Sequence, residues 1–467
     1  MLRIFVFCVA ATAPAVTSRI GEERVDVATE RVNAALDGLQ KYFFDAKGQF
    51  WNACGQNGGN GGKDPTNFTC TCESESPYCK NCFRWWMSTT MQSLMSLNEA
   101  LPGHTSFDLT MQQLDGMRKH SPYTSRALPS WAYIDDYLWY VLMWMHSYQW
   151  HGETGDLQDA ANTMELMAQW GMDYTCGGIT WMFPDVDPRK NSITILEAIQ
   201  SSAQIAKALQ VTEPIRASTH RQRAQDLWRF FTDVGLLGDD FLVHDNVTGT
   251  ADGSFHCCNA TVKPYCEARN TITWSYNQGM FLGAMVDLHG LTGDDSYLKM
   301  GVKNLDSVAT KMTQAIGSAH LVLREPVGLK VQDGKCNSHH DPSESAGGDL
   351  YSFKAVFMQQ LPRFLSAARH LMQPDQLAVV TQLVKDSSDA AWASRALPPF
   401  PTSDVCNQFR EPPVPEGGPP KFSWDWGPLP EGEFTCMDAR TQSQVLSLFV
   451  ADLQIAQMLR NSVSGEA

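Results

Sequence analysis

Apolar residues recur at helical spacing along most of the chain, whereas the alternation typical of half-buried strands is scarce. Segment 24–44 shows the pattern first, because its apolar side chains fall on one face of a helix. The same spacing predicts further helices at residues 84–99, 132–149, 157–172, 192–209, 220–234, 273–289, 296–316, 353–371, 377–393 and 443–460. The pattern therefore predicts an all-α fold.

Two pairs of these segments resemble each other. In each pair a strongly apolar helix is followed by a turn that contains Thr-Gly-Asp and then by an amphipathic helix; the turns lie at residues 151–156 and 291–295. A helix that is apolar on all sides is buried, and a helix with one polar face lies at the surface. Repetition of this order predicts concentric layers of inner and outer helices, an α/α toroid. An irregular helical domain is the alternative.

Two long segments interrupt the helical pattern. Segment 52–83 is rich in glycine and cysteine, and the C-x-C and C-x-x-C spacing of its last four cysteines suits either zinc or disulfides. We expect disulfide-stapled loops, because the chain has the features of an exported protein. Segment 396–436 is rich in proline and glycine, and we expect an ordered lid or rim with Trp424 and Trp426 as an apolar tip.

The N-terminus predicts export. Residues 1–18 combine a basic flank at Arg3, an apolar stretch and small residues, which is the pattern of a secretory signal peptide. Of the 13 cysteines one, Cys8, lies in this segment, and the even remainder favours disulfides. N-glycosylation sequons begin at Asn67, Asn246 and Asn259. We therefore expect a secreted protein in which residues 19–467 form a single domain.

Composition and charge narrow the class of ligand. The formal net charge of −15 gives a surface that repels nucleic-acid phosphates and anionic lipid headgroups. We expect neither nucleic acid nor a membrane as a partner. A neutral ligand is compatible with this charge, and the 14 Trp and 12 Tyr side chains suit the apolar faces of sugar rings.

Asp135 and Asp136 stand side by side at the start of a helix that is otherwise apolar and aromatic. Burying two charges without a purpose is costly. On a helix their carboxylates can lie roughly 5–6 Å apart, close to the roughly 5–5.5 Å between the two carboxyls of a retaining glycosidase. Such spacing also separates their pKa values, so that one carboxyl stays protonated. The alternative is that one aspartate caps the helix or pairs with an arginine.

Several motifs around this pair occur in a fixed order. They are the Asp pair, a TGD turn, the CGGITW loop at residues 176–181 and the KNSIT segment at residues 190–194, followed by segments 271–298 and 347–361. The ordered set resembles glycoside hydrolase family 76, the endo-α-1,6-mannanases. The resemblance implies an (α/α)6 barrel and a retaining attack on α-1,6-linked mannose. It also implies Asp135 as nucleophile and Asp136 as acid/base, an order that sequence geometry alone does not give.

The resemblance further implies a set of substrate-binding residues. They are Gly177, Gly178, Trp181, Asn191, Thr194, Trp274, Tyr276, Asn277, Gln278 and Asp349. Structural roles are the alternatives: a packed turn for the glycine loop, helix capping for the residues expected at helix starts, and a satisfied network between helices for motif 274–278. The chain departs from the family at Met182, Ile195 and Leu196, which leaves the exact linkage and the subsites open.

We expect no metal and no cofactor. His339, His340 and Asp341 lie together in a polar loop, without the spacing that would bring them onto one ion. We expect a monomer that acts on an α-mannan polysaccharide or oligosaccharide. Endo-hydrolysis of mannan is the leading interpretation. The alternatives are transfer of the mannosyl group to a sugar acceptor in a cell wall, and a non-catalytic carbohydrate-binding protein on the same scaffold.

Overall fold

The structure, a computed structural model, describes residues 13–45, 50–51, 85–120, 133–174, 177–183, 189–248, 268–317, 319–326, 350–398, 417–422, 426 and 439–464. The α-helices in these residues are α1 (Ala13–Phe43), α2 (Trp85–Ala100), α3 (Ser106–His120), α4 (Ile134–His151), α5 (Thr154–Gly171), α6 (Ser192–Leu209), α7 (Pro214–Asp233), α8 (Ser275–Thr292), α9 (Ser296–Lys311), α10 (Leu350–Ala368), α11 (Pro374–Ala393) and α12 (Ala439–Ser464). None of these helices is long and apolar enough to cross a lipid bilayer. The predicted predominance of helix is confirmed.

The helices form two concentric rings. Helices α2, α4, α6, α8, α10 and α12 each pack on the next of this set, and α12 packs on α2, which closes an inner ring. The remaining helices lie outside: α3 packs on α2, α5 on α4, α7 on α6, α9 on α8, and both α1 and α11 on α12. The fold is therefore an (α/α)6 barrel. The predicted order of an inner and then an outer helix is confirmed for both TGD-linked pairs, α4–α5 and α8–α9.

The alternation of inner and outer helices gives the inner ring a common direction. Each outer helix returns the chain to the end of the barrel where the next inner helix begins, so the N-termini of α4, α6, α8 and α10 gather at one mouth. The opposite end holds a cavity of about 680 Å³ whose lining includes eight glutamine side chains. The Asp pair, the KNSIT segment and the WSYNQG motif are far apart in sequence but all lie at the first mouth, because each one begins an inner helix.

Two glycines of α8 let this helix approach its neighbours closely. A Cβ atom at Gly279 would lie 2.7 Å from the backbone nitrogen of Phe357 in α10. A Cβ atom at Gly283 would lie 2.8 Å from the side-chain carbonyl carbon of Gln200 in α6. Both distances are shorter than a normal contact. Gly279 faces backbone, which cannot move aside, so this position requires glycine for α8 and α10 to pack at their present spacing, whereas Gly283 faces glutamine side chains that can move.

Short strands connect some of the helices. Strands β1 (Phe44–Asp45) and β2 (Phe50–Trp51) form one antiparallel pair, and β6 (Thr313–Ile316) and β7 (Ala319–Leu323) form another. Strands β3 (Lys190–Asn191), β4 (Asn246–Thr248) and β5 (Ala268–Asn270) make an antiparallel sheet in that order. This sheet leads directly into α6 at the mouth of the barrel, with Asn191 opposite Asn246.

Three elements differ most from the predicted helices. Helix α1 begins at Ala13, well before the predicted segment 24–44. The prediction for 296–316 is wrong at its end, because α9 ends at Lys311 and the chain enters the hairpin of β6 and β7. Gly317, with a φ of +59°, lies in the turn of that hairpin. Helix α3 was not predicted at all. Its buried face includes Thr110 and Gln113, so polar side chains interrupt the apolar stripe by which a helix is recognised.

The described part of the proline-rich segment packs against the barrel. Trp426 is fully buried, and the Nζ atom of Lys354 in α10 lies 4.2 Å from the centre of its ring. The prediction of an apolar tip is therefore wrong for Trp426, whose indole is part of the core. Trp424 lies outside the described residues, as do insert 52–83 with its predicted disulfides, the loop from His339 to Asp341 and residues 1–12 of the predicted signal segment.

One predicted glycosylation site is buried. The side chain of Asn246 is 6 % exposed, and its amide donates a hydrogen bond of 2.8 Å to Asp245. A glycan on this nitrogen is incompatible with that contact, so the sequon at Asn246 does not support glycosylation of the folded chain. The sequons at Asn67 and Asn259 lie outside the described residues.

Candidate active site

Asp135 and Asp136 lie in the first turn of α4, at the mouth where the inner helices begin. The N-cap position belongs to Tyr133, so neither aspartate caps the helix. The start of α4 is fixed by the CGGITW loop, because the backbone N–H of Ile134 donates to the carbonyl oxygen of Trp181 at 2.8 Å. Both aspartates are half-buried. The free N–H groups and the dipole of a helix N-terminus stabilise negative charge at this position.

Two N–H groups orient the carboxylate of Asp135. The indole Nε1 of Trp181 donates to Oδ2 at 2.8 Å, and the backbone N–H of Asp136 donates to Oδ1 at 3.0 Å. The Trp181 ring is itself held edge-on to Tyr133 and beneath the guanidinium of Arg189, which lies 5.0 Å from the ring centre. Trp181 therefore fixes the direction of the Asp135 carboxyl group. Arg189 covers one face of the ring, which limits the predicted stacking of a sugar.

A third carboxyl lies behind the pair. Glu197 in α6 is fully buried, and neither of its carboxyl oxygens has a hydrogen-bond partner among the described residues. Burial, and next the negative charges of Asp135 and Asp136, raise the pKa of Glu197 well above its usual value. Sequence reasoning missed this residue because it stands inside the apolar run ITILEAI. A charged residue within such a run was the available signal.

The start of α6 brings Asn191 and Thr194 to the same mouth. Asn191 is the N-cap residue, yet its side chain makes no capping hydrogen bond, so the capping alternative does not account for it. Its Oδ1 atom and the Oγ1 atom of Thr194 are buried and have no partner among the described residues. Buried polar atoms are satisfied by protein, water or a ligand. The contact of Asn191 and Thr194 with sugar hydroxyls stays a prediction.

The WSYNQG motif divides into an internal part and a part at the mouth. Nε2 of Gln278 donates to the carbonyl oxygen of Val243 at 2.9 Å. Its Oε1 accepts from the backbone N–H of Val243 and from the side-chain amide of Asn304, both at 2.9 Å. Gln278 is fully buried, so this geometry favours the alternative of a satisfied network between helices. Trp274, which is 2 % exposed, is the N-cap residue of α8 and packs edge-on to Phe353.

Tyr276 and Asn277 approach a carboxyl that sequence reasoning did not select. Asp245 precedes β4 and is 5 % exposed; its Oδ2 accepts from the amides of Asn246 and Asn270. The Tyr276 hydroxyl lies 3.5 Å from its Oδ1, and the buried Asn277 side chain also faces it. Burial raises the pKa of Asp245, although these donors oppose the shift. In sequence Asp245 stands among ordinary loop residues, so no local pattern marked it.

The tyrosine of the motif is held flat by an aromatic neighbour. The rings of Tyr276 and Phe353 stack with their centres 3.9 Å apart and their planes at 5°. Phe353 also contacts Trp85, which stacks on Trp139 one turn beyond the Asp pair. An aromatic wall therefore runs from α8 through α10 and α2 to α4, and it leaves the Tyr276 hydroxyl directed at Asp245.

The two glycines of the CGGITW loop contact protein. Gly177 and Gly178 have φ values of +83° and +81°, and a Cβ atom at Gly178 would lie 2.6 Å from the ring of Phe230 in α7. The Nζ atom of Lys190 ties the loop down by donating to the carbonyl oxygen of Gly177 and to Asp173. This geometry favours the alternative of a packed turn. The predicted Asp349 lies outside the described residues.

A family model described as Glycosyl hydrolase family 76 matches residues 40–398. Among curated proteins, the chain is 23 % identical over 319 residues to a putative mannan endo-1,6-alpha-mannosidase of Schizosaccharomyces pombe, covering 66 % of this chain and 63 % of that protein. It is 24 % identical over 239 residues to the mannan endo-1,6-alpha-mannosidase DCW1 of Candida albicans, covering 51 % and 45 %. The chain thus spans less than two thirds of the length of either relative.

Solved structures show the same fold. An inactive variant of the alpha-1,6-mannanase GH76A of Salegentibacter sp. HEL1_6, in which two aspartates are replaced by alanine, superposes with a TM-score of 0.62 at 15 % identity. The match covers 92 % of this chain and 99 % of that one, which is in complex with alpha-1,6-mannotetrose. Dfg5 from Chaetomium thermophilum, in complex with glucosamine, gives 0.58 at 14 % identity over 93 % and 90 %. At these identities the likeness concerns the fold.

Proposed function

The chain belongs to glycosyl hydrolase family 76, and we propose that it is a secreted retaining hydrolase that cleaves α-1,6-mannosidic bonds within mannan backbones. Both curated relatives carry the name of mannan endo-1,6-alpha-mannosidases, and the solved mannanase that binds alpha-1,6-mannotetrose is inactive once two aspartates are replaced. A neutral mannan also agrees with a net charge of −15, since no phosphate or carboxylate has to approach the acidic surface.

One observation carries the catalytic part of the proposal. Asp135 heads an inner helix at the mouth of the barrel, and its carboxylate is fixed by the Trp181 indole at 2.8 Å and by the Asp136 amide at 3.0 Å. Hydrogen bonds to a carboxylate stabilise its charge and hold its direction. Asp135 therefore has the properties of a nucleophile that must be ionised and aimed. Asp136, next to it in the same turn, takes the role of acid/base.

The proposed reaction is a double displacement. In the first step Asp135 attacks the anomeric carbon, the bond to the leaving oxygen breaks, and that oxygen takes the proton of Asp136. A glycosyl ester of Asp135 remains. In the second step Asp136 takes a proton from water, the water oxygen bonds to the anomeric carbon, and the ester bond breaks. The raised pKa of Glu197 keeps this nearby carboxyl protonated to a higher pH, which avoids a third negative charge beside the pair.

The test is cleavage of linear α-1,6-mannan, followed by product size and by NMR of the first anomer released. Wild-type protein is expected to shorten the polymer from within and to release the α anomer first. Asp135→Asn and Asp136→Asn are expected to lose at least a thousandfold in kcat, since each removes one of the two groups that break the bond. Asp375→Asn is a matched control, because Asp375 lies in the first turn of outer helix α11 and is exposed.

The same experiment separates the alternatives. Products longer than the substrate when α-1,6-mannotetraose is added as an acceptor would indicate transfer of the mannosyl group to sugar. Retention on mannan without any cleavage would indicate a carbohydrate-binding protein. Full activity of Asp135→Asn would overturn the assignment of the nucleophile.

A further inference from the structure

A groove of about 700 Å³ lies on the outer wall of the barrel, between the chain that follows α5 and the outer face of α7. We call it the α7 groove. Its lining includes Tyr174, Ile215, Ser218, Thr219, Gln222 and Arg223. None of these residues is one of the site residues described above, so the α7 groove is a separate feature of the surface.

The α7 groove contains unusually exposed apolar side chains. Among the described residues, three large apolar side chains are more than three-quarters exposed: Tyr174 at 80 %, Ile215 at 86 % and Val211 at 90 %. Two of them line the α7 groove, and Val211 lies three positions before its first α7 residue, Pro214. Exposed apolar surface that is gathered at one place and rimmed by polar groups indicates a binding site.

The polar lining is rich in hydroxyl and amide groups, and its one cation, Arg223, donates to Nδ1 of His220 at 3.0 Å. Ser218, Thr219 and Gln222 lie on one face of α7, three to seven residues after Ile215. The carboxylate of Asp226 already accepts from Gln222 at 2.7 Å and pairs with Arg229. Hydroxyls and an amide beside an exposed phenol ring suit a neutral ligand that carries many hydroxyls, such as a hexose chain, whose apolar ring face stacks on an aromatic.

The α7 groove is connected to the candidate active site by one folded loop. Residues 172–183 carry Tyr174 near one end and Trp181, the partner of Asp135, near the other. Met172 pairs with Ile179 across the loop, and the N–H of Asp173 donates to the carbonyl oxygen of Gly178 at 3.1 Å. The described residues on the two sides of this loop are thus joined by backbone hydrogen bonds, which link the segment of Tyr174 to the segment of Trp181.

We propose that the α7 groove binds a distal part of the same neutral mannan chain, with Tyr174 stacking on one of its sugar rings. The proposal rests on the proposed function, because it takes the ligand of the α7 groove to be the polymer that the active site cuts. Its consequence is a preference for long chains. A polymer occupies the α7 groove and the Asp pair at once, so the contribution of Tyr174 to binding is expected to increase with chain length.

The test compares Tyr174→Ala with wild type on long linear α-1,6-mannan and on α-1,6-mannotetraose. Loss of one sugar–aromatic stack is expected to lower kcat/KM on the polymer by about fivefold more than on the tetrasaccharide. Phe107→Ala is the matched control, since it removes another exposed aromatic ring, 45 % exposed, from α3. Equal effects of Tyr174→Ala on the two substrates would overturn the proposal.

A binding experiment separates failure of the α7 groove from failure of the proposed function. The Asp135→Asn protein is run on native gels that contain linear α-1,6-mannan, with and without the additional Tyr174→Ala substitution. Retardation that depends on Tyr174 supports the α7 groove even if the wild type cleaves no mannan. The proposal is overturned if retardation is the same with and without Tyr174, or if there is no retardation at all. A protein partner would then be the occupant to test.

Discussion

The indole N–H of Trp181 is one of the two N–H groups that orient the candidate nucleophile, Asp135. Trp181 reaches Asp135 because the CGGITW loop crosses the start of α4. There the backbone carbonyl oxygen of Trp181 also accepts from the N–H of Ile134. The tryptophan was selected from sequence as a sugar platform. In the structure the indole N–H of Trp181 donates to Asp135, which is a candidate catalytic group.

The first prediction concerns this N–H. Trp181→Phe keeps an aromatic ring and removes the donor, and we expect kcat on linear mannan to fall about ten- to a hundredfold with little change in KM. A hydrogen bond to a charged group contributes about 1.5–3 kcal/mol, which corresponds to that range. Trp170→Phe is the control, because Trp170 contacts Phe183 and not the Asp pair. If both variants keep the wild-type kcat, the indole does not orient the nucleophile.

The second prediction concerns Glu197 and pH. The folded state holds the proton of Glu197 more tightly than the unfolded state, because burial and the Asp pair raise its pKa. Such a group stabilises the fold below its unfolded pKa, which is about 4.3, and this stability is lost as the pH rises toward the folded value. Glu197→Gln is therefore expected to be more stable relative to wild type at pH 7 than at pH 4, by unfolding in urea at both values.

Glu165 provides a control with the opposite sign. Although burial opposes it, hydrogen bonds from His220 and Arg216 lower the pKa of Glu165 to about 2. Its contribution to stability is present above the unfolded pKa and is lost as the pH falls toward 2. Glu165→Gln should consequently lose more stability at pH 7 than at pH 2.5. A pH-independent effect of Glu197→Gln would mean that Glu197 has the same pKa in both states.

Single residues were predictable from sequence where a motif marked them. The Asp pair stood out because two adjacent charges interrupt an aromatic run. Glu197 and Asp245 were not selected, because segments distant in sequence make their environment. Glu197 acquires its neighbours when α4 packs on α6, and Asp245 acquires its neighbours when β4 joins β3 and β5. Burial and charge coupling are properties of the fold, and the one local sign of them was Glu197 itself, a charged residue inside the apolar run ITILEAI.

Among the helices, α8 shows how closely the inner ring is packed. Gly279 is in the middle of the helix contact, where a Cβ atom would lie 2.7 Å from the backbone nitrogen of Phe357, whereas a Cβ atom at Gly290, near the end of α8, would have no atom within 4 Å. The same helix therefore contains one glycine that packing requires and one that it does not.

The third prediction uses this pair. Gly279→Ala must separate α8 from α10 and is expected to lower the free energy of unfolding by about 2–3 kcal/mol or more. Gly290→Ala is expected to leave it unchanged or to raise it by up to about 1 kcal/mol, since alanine is the better helix former. Urea denaturation measures both. Equal stabilities of the two variants would show that the inner helices can move apart at no cost.

Helices were predicted well where their inner face is continuously apolar and poorly where it is mixed. Segment 192–209 was predicted with the bounds that α6 has. Helix α3 was missed because its buried face includes polar residues, and the end of α9 because residues from Thr313 onward enter a hairpin. Helical periodicity reports one element at a time, so it identifies the inner and outer layers and does not show which helices are neighbours.

The whole barrel is closed by contacts between the two ends of the described chain. Outer helix α1 packs on α12, which in turn packs on α2 and completes the inner ring. Arg24 in α1 donates to Asp452 in α12 at 2.8 Å and to the carbonyl oxygen of Thr381 in α11 at 3.4 Å. Because these partners are separated by 428 and 357 positions, no local pattern in the sequence predicted them.

The last prediction tests this closure. Asp452 is 4 % exposed at its side chain, so Arg24→Met leaves a nearly buried carboxylate without its cation, and we expect a loss on the order of 3 kcal/mol in the free energy of unfolding. The double variant Arg24→Met with Asp452→Leu should recover most of that loss, because it removes the orphaned charge. Lys385→Met is the control: its partner Asp389 is 40 % exposed on the same helix, and such a pair contributes only a few tenths of a kcal/mol. A double variant as unstable as Arg24→Met alone would show that the ion pair itself, and not the burial of an unpaired charge, holds the ends of the barrel together.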